Sequence, residues 1–298
     1  MSIVADIAVH AVDEMAHEHA PEIKKPFRPS RIVLHVLLLL GALIMAGPFI
    51  WMILSSFKPL EEIFIQPPKI LPQDWAPENY SNALAQADFV RGFLNSIYIA
   101  VTVTLVSVIT CAMAAYAFAR IKFPGEKQLF MTFLATMMVP GQLTVIPLYI
   151  ILSKIGWVDT HLAIIVPAAL FNAFGVFLIR QYVRGIPLEL EEAASIDGAG
   201  RVRIFCTLIL PLLRTPLTAL GIFTFLNQWN NFFYPLIFLN SEEKFTIPLL
   251  VNQFKGAYSS DWTGLMAAAT LAAGPMLIIF IIAQRQIVEG IALSGSKT

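Results

Sequence analysis

Glu189-Leu190-Glu191-Glu192-Ala193-Ala194-Ser195-Ile196-Asp197-Gly198-Ala199-Gly200, closed downstream by Leu208-Ile209-Leu210-Pro211, is a hydrophilic stretch inside an otherwise apolar chain. On both sides of it the composition is that of a membrane protein. The chain is 57% hydrophobic and only 13% charged, against about 25% charge in soluble domains. Its mean hydropathy is +0.71. Six stretches are long and apolar enough to cross a bilayer: 32–54, 93–118, 128–152, 161–182, 213–239 and 263–283. No acidic or basic residue lies mid-span; Arg180 and Arg214 fall close to span ends. The expected fold class is an all-α membrane protein with six transmembrane helices.

Charge sets the expected orientation. With the N-terminus inside, the inner segments hold Lys24, Lys25, Arg28, Arg31, Arg120, Lys122, Lys127, Arg180, Arg184, Arg201, Arg203, Arg214, Arg285 and Lys297. The outer segments hold only Lys58, Lys69, Arg91, Lys154, Lys244 and Lys255. The positive-inside rule therefore places both termini in the cytoplasm. The expected organisation is a cytoplasmic tail over 1–30, a six-helix membrane domain over 31–286 and a cytoplasmic tail over 287–298. The largest inner loop is 183–212. The first apolar run begins after Arg31, has full spanning length and lacks a small-residue cleavage site, so it does not read as a signal peptide. A net charge of zero gives no sign of nucleic-acid binding. Cys111 and Cys206 fall on separate elements, against a disulfide.

The hydrophilic loop has its own physics. Pro187 suits a helix start. Glu189, Glu191 and Glu192 favour the positive end of a helix dipole. Ala193 and Ala194 form helix without bulk, and Gly198 and Gly200 permit a turn behind it. An amphipathic helix lying on lipid wants basic flanks and bulky apolar residues. This one presents acid and alanine, so docking against another protein is the favoured reading.

Elsewhere the residues support little chemistry. His10, His17 and His19 have no ligand spacing that matches a metal site, and read as part of a surface tail with a weak amphipathic face at Ile3, Ile7, Ala11 and Met15. Gly290 to Thr298 nearly matches a phosphate-binding loop, but Ser296 separates Gly295 from Lys297 and no helix follows. The chain should bind no ATP itself, and no cofactor, metal site or catalytic triad is expected. Mid-span charge would have indicated an ion-coupled carrier, and there is none. Uncharged polar residues remain: Asn172 in the fourth span, then Asn227, Gln228, Trp229, Asn230, Asn231 and Tyr234 in the fifth. Amides hydrogen-bond sugar hydroxyls and rings cover apolar sugar faces. Hydrogen bonding between helices is the competing use. Pro140, Pro147, Pro167, Pro235 and Pro275 lie in or near spans, either to break helices around a cavity or to kink them.

Glu192-Ala193-Ala194, then Gly198, then Leu208-Ile209-Leu210-Pro211 resembles the signature of permease subunits of binding-protein-dependent ABC importers, which usually carry Ile where Leu208 stands. Three further pieces are similar to the carbohydrate branch of that family: 114–120 with Phe123-Pro124-Gly125; 139–142 leading to Ile146-Pro147-Leu148-Tyr149; and 283–297. The resemblance implies a type I importer permease fold. It implies as partners a dimer of ATP-binding subunits, a second related permease and an external solute-binding protein, with a sugar-class substrate. It makes the 189–197 helix a coupling helix seated on the ATPase, with Glu191, Glu192, Ala193, Ala194, Asp197 and Gly198 as coupling residues. It implies contacts of Ser294–Thr298 with the ATPase dimer and of the last outer loop with the binding protein. The alternative is a standalone ion-coupled carrier or channel; a membrane scaffold is the non-transport reading.

Overall fold

The computed structural model describes residues 29–255 and 261–295, and its regular elements among the described residues are helices. The N-terminal tail with its histidines, Tyr258 and residues 296–298 lie outside the described residues. The chain divides into two units, Met1–Ile50 and Trp51–Thr298. Helix α1 (Pro29–Ser55) is apolar and exposed from Val33 to Met45. Within the second unit follow α2 (Glu78–Gln86), α3 (Phe89–Arg120), α4 (Glu126–Ala135), α5 (Gly141–Lys154), α6 (Leu162–Leu170), α7 (Ala173–Gly185), α8 (Glu189–Ile196), α9 (Arg214–Trp229), α10 (Phe233–Phe238), α11 (Ile247–Gln253) and α12 (Trp262–Gly295), with shorter turns between.

Helix α3 is the axis of the second unit and packs against α6, α7 and α9. Its buried stripe reads Ser96, Ala100, Val103, Ser107, Cys111 and Ala115. These recur every three or four residues, which keeps them on one face. Small residues there let neighbouring backbones approach, as helix packing in lipid requires. A side chain at Gly175 of α7 would meet the Cys111 sulfur at 2.7 Å, so that crossing needs glycine. Below it lies a cluster built from Ala112, Tyr116, Ile179, Val183, Ile204, Ile209 and Leu213.

The spans are less regular than their apolar runs suggest. Three helical stretches are long and apolar enough to cross a membrane: 33–55, 89–120 and, taking α6 and α7 together, 162–185. Two more candidates arise if each bent pair counts as one, and a shorter apolar helix covers Trp262–Ile278. The third expected span, 128–152, is not one rod: Glu126–Met138 and Gly141–Lys154 meet at 105°. The cause is Pro140, which disfavours helical geometry at the residue before it; Val139 is extended, at φ −90° and ψ 117°. The fourth is interrupted at Phe171 and Asn172, after Pro167. The fifth, 213–239, stops at Trp229 and resumes at Phe233. Pro187 also does not open the loop helix; it lies two residues upstream of Glu189.

Just past the end of α1, Ser55, Ser56 and Lys58 are fully buried. The Asn79 amide donates to the carbonyls of Ser56 and Lys58, and the Lys58 ammonium donates to the Lys69 carbonyl and sits 4.3 Å from the Trp51 ring. A second clasp closes on Asp159, which adopts a left-handed backbone at φ 59°. Its carboxylate accepts from the backbone N–H of Asn240 and Ser241, the Ser241 hydroxyl and the Lys244 ammonium at 2.9 Å. Those bonds, the Ser241 hydroxyl first, hold its pKa well below the usual carboxylate range.

Candidate coupling surface and membrane cavity

Helix α8 is short and cleanly terminated. Its acidic first turn carries Glu189, Glu191 and Glu192. At the far end Asp197 is the C-cap and Gly198 takes φ +83°. The N–H of Ala199 donates to Ala194 and that of Gly198 to Ser195, the paired bonds of a Schellman motif. A residue with a Cβ would meet no neighbour at Gly198 but would strain the backbone.

The two faces of α8 differ sharply. Glu192, Ala193, Ile196, Asp197 and Gly198 are exposed, while Ala194 packs on the core beneath. Ile196 is 86% exposed and Val202, just beyond the turn, 78%. Both are apolar knobs on a hydrophilic loop, overlooked when the loop is read as smooth and acidic. Glu191, grouped from the sequence with the docking residues, turns the other way and is buried. It accepts from the Tyr116 hydroxyl at 3.0 Å and from Arg120 Nε at 2.6 Å. The reason is helical phase: one position separates Glu191 from Glu192, and about 100° of rotation carries one inward and the other outward.

Arg120 also donates to the carbonyls of Val183 and Ile186 at the end of α7. Arg180 of α7 returns the arrangement: its Nε donates to the Phe118 carbonyl at the end of α3. It pairs with Glu126 at 3.5 Å and lies 4.0 Å over the Phe130 ring. Each helix thus sends an arginine to the other's C-terminal carbonyls, where cations are favoured.

After the loop the chain passes through a π-helical turn, Phe205–Ile209, and a 75° bend before α9. Pro211 follows that turn; it lacks an N–H and its ring crowds the carbonyl four residues back, which disfavours a regular α-helical turn before it.

The cavity in the second unit has a volume of about 850 Å³. Its wall includes Asn227, Gln228, Asn230, Asn231 and Tyr234, with Phe171 and Phe223 opposite in chemistry. Asn227, Asn230, Asn231 and Tyr234 follow i, i+3, i+4, i+7 spacing, which keeps them on one side of the chain as α9 gives way to the break at 230–232. Asn230 donates to the Leu226 carbonyl and Asn231 accepts from the Tyr234 N–H. Asn227 makes no side-chain hydrogen bond among the described residues and faces the cavity. Tyr234 stacks on Phe238, and its hydroxyl lies so close to Gly141 that a Cβ there would be 2.7 Å away. It therefore leans on the α4–α5 bend. Trp229 turns instead into packing, with Phe93 and Phe225. Asn172 is not part of the wall. It caps α7 by accepting from the Gly175 N–H at 2.8 Å and donates to Ser107 at 3.0 Å. No cluster of three metal-ligating side chains occurs among the described residues.

A unit of broken apolar helices around a cavity, with an exposed helix at one end, fits a transport permease. Residues 108–292 match the family described as the binding-protein-dependent transport system inner membrane component, and the chain belongs to that family. It is a multi-pass inner-membrane transport component. It is 36% identical over 262 residues to the probable ABC transporter permease protein YurM of Bacillus subtilis, covering 88% of this chain and 86% of that one. It is 33% identical to the diacetylchitobiose uptake system permease protein NgcG of Streptomyces coelicolor, over 87% and 86% of the two chains. It is 32% identical to the lactose transport system permease protein LacG of Rhizobium radiobacter, over 87% and 94%. Among solved structures, a bacterial ABC transporter involved in import of the acidic polysaccharide alginate superimposes with a TM-score of 0.75 at 23% identity, covering 88% of this chain and 99% of that one. The fold is that of a type I ABC importer permease.

Proposed function

We propose that this chain is a permease subunit of an ATP-driven importer for a sugar, oligosaccharide or sugar derivative. It works with a dimer of ATP-binding subunits, a second related permease and an external solute-binding protein. Its six spans are α1, α3, the bent pair α4–α5, α6 with α7, α9 with α10, and α12, with both termini cytoplasmic. The arginines at the ends of α3 and α7 and around α8 support that orientation. Relatives named for lactose and diacetylchitobiose uptake support the substrate class.

The observation that carries the reading is the outer face of α8: an exposed carboxylate, Glu192, beside exposed alanine and two apolar knobs. Ile196 and Val202 would fill a cleft on the ATPase, and Glu192 would meet a cation at its rim. Closure of the ATPases around ATP would move α8, and with it the broken helices around the cavity, from inward-facing to outward-facing. Asn227, Asn230, Asn231 and Tyr234 would line the substrate path. Asn172 would shape it indirectly, by fixing the break between α6 and α7.

The test is a pull-down from native membranes in mild detergent, with tagged wild-type chain and Glu192→Lys. Wild type should bring an ATPase and a second six-span protein, and Glu192→Lys should lose the ATPase while retaining the second permease. A wild-type chain that comes alone would overturn the reading in favour of a standalone carrier.

A further inference from the structure

Resting on that function, we propose that Arg120 and Glu191, with Tyr116, are positioning residues that transmit movement of α8 to α3 and α7. A helix of eight residues ending in a glycine turn cannot push on a membrane span unless something stiff joins them. The exposed face of α8 has nothing of the kind. On the inner face the Glu191 carboxylate, buried and only 10% exposed at its side chain, meets a 13% exposed Arg120 at 2.6 Å. The same guanidinium holds Val183 and Ile186, so a single side chain joins the ends of α3 and α7 to α8. Tyr116, one turn before Arg120, holds the second carboxylate oxygen. Both oxygens are thereby fixed by one helix, which blocks rotation of α8 about its own axis. Ala194 supplies the adjoining apolar contact, which alone is non-directional. A buried, multiply hydrogen-bonded ion pair transmits position because losing alignment leaves charge unpaired in a poorly solvated site. The geometry assigns Glu192 to the partner and Glu191 to the strut.

The experiment uses the complete transporter, purified with its co-isolating subunits and placed in lipid vesicles. Cys111 and Cys206 are replaced by serine, and Ala168→Cys in the cavity wall is the reporter. Labelling by a membrane-impermeant maleimide from the outer side is measured with and without ATP plus vanadate. Otherwise unmodified transporter should label faster when nucleotide is trapped. Glu191→Gln and Arg120→Lys should still bring the ATPase and hydrolyse ATP, yet lose at least about fivefold of the nucleotide-dependent change. Tyr116→Phe, which removes one hydrogen bond and no charge, should lose about twofold. It carries the comparison if the charged variants fail to accumulate. An unchanged labelling response in assembled variants overturns the strut. So does loss of the ATPase from Glu191→Gln but not Arg120→Lys, which would make Glu191 a partner contact. Absence of any nucleotide response in the parent transporter would instead strike the importer reading.

Discussion

The protein closes an ion-paired clasp near each end of α3, and the two are built differently. The inner, more buried pair is Arg120 and Glu191 beside α8, 13% and 10% exposed at their side chains; the outer, less buried pair is Lys244 and Asp159 near the other end of α3, 33% and 25% exposed. The inner pair joins three helices through side chain and backbone together. The outer one ties two loops through two backbone N–H groups, one hydroxyl and one ammonium, all aimed at a single carboxylate. Burial makes the inner pair sensitive to any unmatched removal, whereas exposed pairs are screened and contribute at most about 1 kcal/mol. In the proposed mechanism the inner clasp is a joint that must keep its shape under load, and the outer one is a fastening for loop ends. Between them the cavity wall contains neutral amides and helix breaks, where the chain can change shape without moving a charge.

The sharpest way to break this contrast is to remove one charge from each end. Arg120→Ala should destabilise the protein by about 3–5 kcal/mol, because Glu191 is left buried and unpaired. Thermal or denaturant unfolding in detergent checks it, and a loss below about 1 kcal/mol would put the two clasps in the same class. Next is the seam that the inner arginines straddle. Gly175→Ala should cost about 1–3 kcal/mol by driving α7 off Cys111 and disturbing the Asn172 cap. Unchanged stability would show that α3 and α7 do not need that close approach.

Gly198→Ala should cost about 1–2 kcal/mol locally. Nothing crowds the site, so only the left-handed backbone opposes it. Faster proteolytic nicking of the loop would report it, with global unfolding almost unmoved. The smallest effect belongs to Asp159→Asn, which should lower the melting temperature at neutral pH by no more than about 4 °C. Its pH dependence has a definite sign. The folded-state pKa is depressed, so the carboxylate's contribution is fully present above its unfolded pKa near 4 and is lost as pH falls below it. Wild type and Asp159→Asn should therefore converge on acidification. A gap that widens in acid would contradict the clasp.

Much of this architecture was legible in the residues. Apolar runs mark the membrane helices, and the acidic start and Gly198 mark the ends of α8. The phase of α8 was not, because three glutamates in four positions look equivalent in a string. The partner that draws Glu191 inward, Arg120, is 71 residues away in sequence. A signal did exist: Tyr116 and Arg120 stand one turn apart on the buried side of a span end, and two such groups call for an acceptor. Asn172 misleads for a related reason. An amide in a span is equally suited to a solute or to the loose N–H groups of a broken helix, and only the break after Pro167 decides in favour of the cap. Asn227, Asn230, Asn231 and Tyr234 share a wall, as their i, i+3, i+4, i+7 spacing already allows on one helical face; what the string does not give is the break after Trp229.

The account turns on which face of α8 meets the motor, and the most direct measurement is site-specific photocrosslinking in the assembled transporter. A photoreactive residue is placed in turn at Glu191, Glu192, Ile196 and Val202. The account predicts crosslinks to the ATPase from Glu192, Ile196 and Val202 and none from Glu191. Efficient capture of the ATPase from Glu191, or crosslinks to lipid alone from the other three, would contradict it.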